Sequence, residues 1–143
     1  MILQEVIMDL DKLIEKSNAK IEFKTMPVII GFHLELNLLF QNLISNAIKY
    51  QNENQRPIIE ISFEEKELEW EFKVKDNGIG FEMRYQEKIF EMFQRLHAKN
   101  EYEGTGIGLA ICKKIIDNHE GYIQVSSILG KGSTFTIYLP IKL

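Results

Sequence analysis

The residues of this chain best suited to chemistry are one carboxylate at the end of an alternating run and two clusters of glycines. Asp76 lies in K-D-N-G-I-G (75–80), directly after the alternating residues 70–74, where a strand is expected to finish and the backbone to turn sharply. Gly78 and Gly80 permit that turn, because glycine reaches positive φ without steric cost and lets a ligand come close to the main chain. The second cluster, E-G-T-G-I-G-L-A (103–110), carries Gly104, Gly106 and Gly108 straight into an amphipathic helical pattern over 109–116. A helix that opens in glycines is a natural phosphate seat. The two clusters together point to a nucleotide pocket.

A third group lies upstream. Asn42, Asn46 and Lys49 are spaced four and then three residues apart, so on a helix they share one face while Leu39, Leu43 and Ala47 keep to the core. An asparagine carbonyl is a hard oxygen donor suited to Mg²⁺, which keeps several waters and takes one or two protein ligands beside substrate phosphates. Lys49 supplies compensating charge. The same stripe is equally compatible with asparagines that hydrogen-bond neighbouring loops and a lysine solvated at the surface.

The elements that must position these residues read as one α+β layer structure: a mostly antiparallel sheet covered on one face by helices. Residues 4–16 have apolar positions at helical spacing, followed by a short strand over 20–24 that ends before Pro27. The longest helical pattern runs from 33 to 50. Strands are expected over 58–64 and 68–75, short helices over 83–94, and a polar loop over 95–104 that makes a candidate lid, ordering when nucleotide binds. A helix over 106–119 precedes two more strands, 122–127 and 133–139, joined by a hairpin turn at Gly130, Lys131 and Gly132.

Composition limits the function classes. With 143 residues and 45% hydrophobic content, one domain over 1–143 is expected, with a single core. A net charge of −4 argues against a nucleic-acid-binding face. No apolar run is long enough to span a membrane and no secretory signal pattern is present, so the chain is expected to be a soluble, cytoplasmic domain without membrane contact of its own, whether or not the parent protein is membrane-anchored. The one cysteine, Cys112, falls on the buried stripe of a helix and reads as a small core residue.

Read in order, N-L-I-S-N-A-I-K-Y (42–50), D-N-G-I-G (76–80), E-K-I-F-E-M-F-Q-R (87–95), G-T-G-I-G-L-A (104–110) and G-K-G-S-T-F (130–135) resemble the successive boxes of the ATP-binding catalytic domain of two-component sensor histidine kinases. The flanks of the lid region are most similar to the bacteriophytochrome-like branch. The resemblance implies the Bergerat-type fold, a two-layer α/β sandwich shared with DNA gyrase, mismatch-repair ATPases and heat-shock chaperones. ATP and Mg²⁺ are then the implied cofactors.

The resemblance also implies residue roles. Asp76 matches the aspartate that accepts a hydrogen bond from the amino group of adenine, which implies ATP over GTP because guanine presents a carbonyl there. Asn46 matches the Mg²⁺-binding asparagine, with Asn42 one turn earlier. Lys49 and Arg95 match basic residues that meet the phosphates, Arg95 stabilising charge on the transferring group. Tyr50 matches an aromatic that packs against adenine. Gly78, Gly80, Gly104, Thr105, Gly106, Ile107, Gly108 and Leu109 match the glycine-rich nucleotide boxes. Thr134 matches a threonine that helps hold the aspartate and a nearby water; an ordinary strand threonine is the other reading. Phe90 and Phe93 match two phenylalanines at the base of the lid, a position also consistent with core packing.

Asn42 discriminates within the superfamily. Gyrase-like and chaperone-like ATPases carry a glutamate there that activates water, a step worth roughly 10² to 10⁴ in rate. An amide cannot take that proton, which favours a kinase over a hydrolase. The resemblance implies a phosphoacceptor histidine on a separate helical dimerisation domain, a response regulator receiver domain as a further partner, and a homodimeric parent protein. None of His33, His97 and His119 has the acceptor's sequence context, so each is expected to be a surface or capping residue. The chain therefore reads as a piece of a longer kinase that does not phosphorylate itself. Alternatives are a docking module that binds nucleotide without kinase activity and a gyrase-like or chaperone-like hydrolase. Where many relatives have His-Gly-Gly, this chain has His119, Glu120 and Gly121, and the remaining glycine is expected to cap the helix.

Overall fold

The computed structural model describes residues 2–23, 31–52, 54–90 and 108–141. Helices α1 (Ile2–Asp9) and α2 (Asp11–Ser17) precede strand β1 (Lys20–Phe23) and the long helix α3 (His33–Lys49). Strands β2 (Ile58–Glu65) and β3 (Glu69–Asp76) lead to two short 3₁₀ turns, Met83–Tyr85 and Lys88–Phe90. Helix α4 (Gly108–Asn118) then runs into β4 (Tyr122–Ile128) and β5 (Gly132–Pro140).

These strands form a five-stranded sheet in the order β1-β2-β3-β5-β4. Only β1 and β2 run parallel; the remaining pairs are antiparallel, as the strand pattern predicts. The alternation seen in sequence sorts the two faces. Ile59, Ile61, Phe72, Val74, Phe135, Ile137 and Leu139 are buried beneath the helices, while Glu60, Ser62, Lys73 and Lys75 are exposed on the other side. Helix α3 contributes Leu36, Leu39, Phe40, Leu43, Ile44, Ala47 and Ile48 to this core, α1 adds Leu3 and Val6, and α4 adds Cys112, Ile115 and Ile116. Phe40 meets Phe72 edge to face at 5.6 Å between ring centroids, which locks α3 onto the middle of the sheet.

Two local expectations are corrected. Residues 4–16 form two helices, because Leu10 departs from helical dihedrals (φ −101°, ψ 11°) as it turns its side chain into the core. The residue that closes α4 in the left-handed conformation is Glu120 (φ 60°), followed by the Gly121 amide bonding back to the Ile116 carbonyl at 2.9 Å. Gly121 serves a different need: a Cβ there would run into the carbonyl of Tyr138.

Candidate nucleotide site

Asp76 ends β3 on the core-facing side of the sheet, in phase with Phe72 and Val74. Its Oδ1 accepts from the Gly78 amide at 2.8 Å and from the Ser133 amide at 3.3 Å. Among the described residues nothing donates to Oδ2. Burial pushes the carboxyl up to about 6, against the opposing pull of the two amides. A carboxylate held by one oxygen in a desolvated place, with the other oxygen open, is an acceptor prepared for a donor that arrives with a ligand.

The turn behind Asp76 is clamped from two sides. On one side, the Ile79 amide donates to the Tyr50 carbonyl at 3.0 Å, which ties the turn to the end of α3. On the other, the Gly130 amide donates to the Ile79 carbonyl at 2.6 Å, and the Phe81 amide donates to Ser127 Oγ at 2.9 Å. Gly80 takes φ 64°, as expected for the sharp turn. Gly78 is not at positive φ; it is glycine because a Cβ would collide with the Tyr50 carbonyl. The close approach that the sequence assigns to a ligand is thus made at Gly78 by the chain itself.

On α3, Asn42, Asn46 and Lys49 lie half-buried on one stripe beside the buried Leu39, Leu43 and Ala47. Asn42 Nδ2 donates back to the Leu38 carbonyl at 2.8 Å, which leaves Oδ1 facing the start of α4. There a Cβ on Gly108 would stand 3.0 Å from Asn42 Oδ1, so glycine lets the two helices approach at this point. No ion pair among the described residues holds Lys49. Carbonyl oxygens from two asparagines fit a hard cation that draws its other ligands from phosphates and water, rather than a cage built only from protein.

Other expected site residues fall as follows. Phe90 packs edge to face on Phe135 at 6.3 Å, and Leu109 rests partly buried on the core. Thr134 is directly opposite Lys75 in the ladder, so it shares the exposed face of the sheet and points away from Asp76. The residue that meets Asp76 is Ser133, one position earlier; the holding role expected of Thr134 belongs to that neighbour's amide. Arg95, Phe93, His97, Gly104, Thr105, Gly106 and Ile107 lie outside the described residues. His33 is exposed and pairs with Glu5 at 2.8 Å. His119 is buried: Nδ1 donates to the Ile115 carbonyl at 2.8 Å and Nε2 accepts from the Phe32 amide at 3.1 Å. The carbonyl and the amide together fix its neutral tautomer. It fastens the end of α4 to the start of α3 and is not a surface residue. Cys112 is a core residue, its thiol pushed up to about 12 by burial.

Ser127 and Ser133 carry no role in the sequence motifs. They pair across the β4–β5 hairpin with Oγ atoms 2.7 Å apart, and Ser127 also donates to the Gly132 carbonyl at 3.1 Å. Their equal offset of three residues from Gly130 is the signal that finds them, since such residues face each other once the hairpin closes.

Residues 32–143 match the family described as histidine kinase-, DNA gyrase B- and HSP90-like ATPases. The phytochrome-like protein Cph1 of Synechocystis is 45% identical over 140 residues, covering 98% of this chain and 19% of that protein. Cyanobacterial phytochrome A of Nostoc is 46% identical over 139 residues, covering 97% of this chain and 18% of that protein. The chain thus spans about a fifth of the length of these relatives. The solved catalytic domain of histidine kinase ThkA superposes with a TM-score of 0.80 at 29% identity, covering 98% of this chain and 92% of that one. The chain belongs to the histidine kinase-, DNA gyrase B- and HSP90-like ATPases, and within them it is similar to part of phytochrome-like proteins and of sensor histidine kinases and to the catalytic domain of histidine kinase ThkA.

Proposed function

We propose that this domain binds Mg²⁺-ATP and donates the γ-phosphoryl group to a histidine on a separate helical dimerisation domain, as the first step of a two-component signalling relay. The observation that carries the reading is the carboxylate of Asp76, with one oxygen tied by two backbone amides and the other open. That oxygen accepts from the exocyclic amino group of adenine; a guanine carbonyl in the same place would be repelled. Tyr50 packs on the base. The stripe on α3 runs from the adenine end toward the phosphates, with Lys49 giving positive charge and Asn42 and Asn46 supplying oxygens for the metal. Mg²⁺ held by Asn42 and Asn46 would supply positive charge to offset that of the phosphates. Gly108 at the start of α4, with Gly104 to Ile107 ahead of it, brings main-chain N–H groups to the phosphates, and Arg95 meets the transferring group.

Asn42 supports transfer over hydrolysis. Its amide has no basic site to take a proton from water, so the terminal phosphoryl group waits for a better nucleophile. An imidazole nitrogen of the acceptor domain then attacks phosphorus, the bond to the bridging oxygen breaks, and ADP leaves. A receiver domain of a response regulator is the next acceptor, in a homodimeric parent protein that holds this domain in the cytoplasm, whether or not the parent is membrane-anchored. No helix among the described residues is long and apolar enough to cross a membrane.

Calorimetric titration with a non-hydrolysable ATP analogue and Mg²⁺ tests the reading. Binding is expected for the wild type and weakened about 10- to 150-fold in Asp76→Asn or with the GTP analogue, the loss of one charge-assisted hydrogen bond. Equal affinity for both analogues would refute adenine recognition by Asp76.

A further inference from the structure

The turn that carries Asp76 is also held by two side chains to which no nucleotide contact is assigned. Asn77 Oδ1 accepts from the Ile58 amide at 2.9 Å and from Gln51 Nε2 at 3.1 Å, while its Nδ2 donates to the Arg56 carbonyl at 3.0 Å. The Ile58 amide can only donate, so it decides which end of the Asn77 side chain faces it. That choice then fixes Gln51, whose Nε2 faces Asn77 Oδ1 and the Ala47 carbonyl at 2.8 Å. Gln51 Oε1 is left buried without a donor, the one side-chain atom in that condition among the described residues. A buried acceptor without a partner costs stability, so fold stability alone does not select a glutamine here. The pair joins the end of α3, directly after Asn46, Lys49 and Tyr50, to the start of β2 and to the residue that follows Asp76.

We propose that Asn77 and Gln51 are positioning residues that set the spacing between the adenine-reading end of β3 and the phosphate-facing stripe of α3. The inference rests on the ATP-site reading above. Two subsites that hold the two ends of one ligand reinforce each other only while their separation matches that ligand; a loosened junction must be re-ordered each time the ligand binds. A ligand that fills only the adenine subsite is indifferent to the spacing. The backbone bond from Ile79 to Tyr50 survives in any side-chain variant, so the effect is partial.

NMR titration of ATP with Mg²⁺ and of adenosine, which reads weak binding as well as strong, tests this on wild type, Gln51→Ala and Asn77→Ala, with the ligand-free thermal midpoint measured beside it. Gln51→Ala removes the orphaned acceptor together with the link, so its midpoint is expected to stay near that of the wild type. Its adenosine affinity is expected to remain within about twofold, while ATP affinity falls about five- to tenfold, the equivalent of one hydrogen bond. Asn77→Ala should lower the ATP-to-adenosine affinity ratio by a similar factor, along with its midpoint. Equal losses for both ligands in folded Gln51→Ala, or no loss for either, would overturn the proposal and leave the pair as structural support. A wild-type protein that binds neither ligand would instead overturn the ATP-site reading on which the proposal stands.

Discussion

At the scale of the residue, Asp76 serves binding at the expense of the empty fold. Its carboxyl is raised from 3.8 to about 6 by burial, so the native state holds that proton more tightly than the unfolded chain does. Stability therefore falls as pH rises between those two values and stays at the lower level above about 6, where the ionised group sits desolvated. Removing the charge should reverse this: ligand-free Asp76→Asn is expected to melt above the wild type at pH 7 to 8, the gap closing near pH 4, by thermal denaturation across pH. ATP affinity should run the other way in the wild type, falling as the pH drops through about 6 and the carboxylate takes up a proton. A flat affinity profile over that range would mean that ionised Asp76 is not the adenine acceptor. The position of this residue is legible in sequence because a strand pattern ends on it and glycines follow. Its partners are not, because Ser133 reaches it through a backbone amide, which carries no side-chain signature.

At the scale of the element, the helices show where local preference yields to packing. The alternating strands and the α3 stripe are readable because period 2 and period 3.6 survive burial on one face. The break at Leu10 and the end of α4 are not, since each is decided by contacts distant in sequence. Glu120 is the clearest instance: it holds φ 60° at the position where glycine is the ordinary occupant, while Gly121 is claimed by the carbonyl of Tyr138. A side chain in the left-handed region costs roughly 1 kcal/mol. Glu120→Gly is accordingly expected to stabilise the domain by about that amount, a rise of roughly 3 °C in thermal midpoint for a chain of this size. A lower midpoint would show that the glutamate side chain contributes more than its backbone costs. The neighbouring His119 staple argues that α4 itself stays in place, because its ring bonds and its edge contact with Phe32 hold the helix end whichever side chain stands at 120.

At the scale of the whole molecule, one core supports a site gathered at a junction: the end of α3, the end of β3, the β4–β5 hairpin and the first turn of α4. The sheet's buried face, its strand order and the order of the sequence boxes all serve that convergence, and their agreement is why the fold is legible in the sequence. What convergence does not provide is an acceptor among the described residues. His33 stands exposed beside Glu5 on the α1–α3 contact, and His119 has both ring nitrogens committed to main-chain partners inside the core. None of His33, His97 and His119 has the sequence context of the acceptor, so the domain alone, incubated with Mg²⁺-ATP, is expected to acquire no acid-labile phosphate. Adding a helical domain that carries its own acceptor histidine should produce such phosphate on the added protein only, at a rate that rises with the concentration of both partners and, at limiting ATP, falls about 10- to 150-fold in Asp76→Asn. Phosphohistidine on the 143-residue chain itself would locate the acceptor within it, and steady release of inorganic phosphate without any acceptor would show that Asn42 does not keep water from the terminal phosphoryl group.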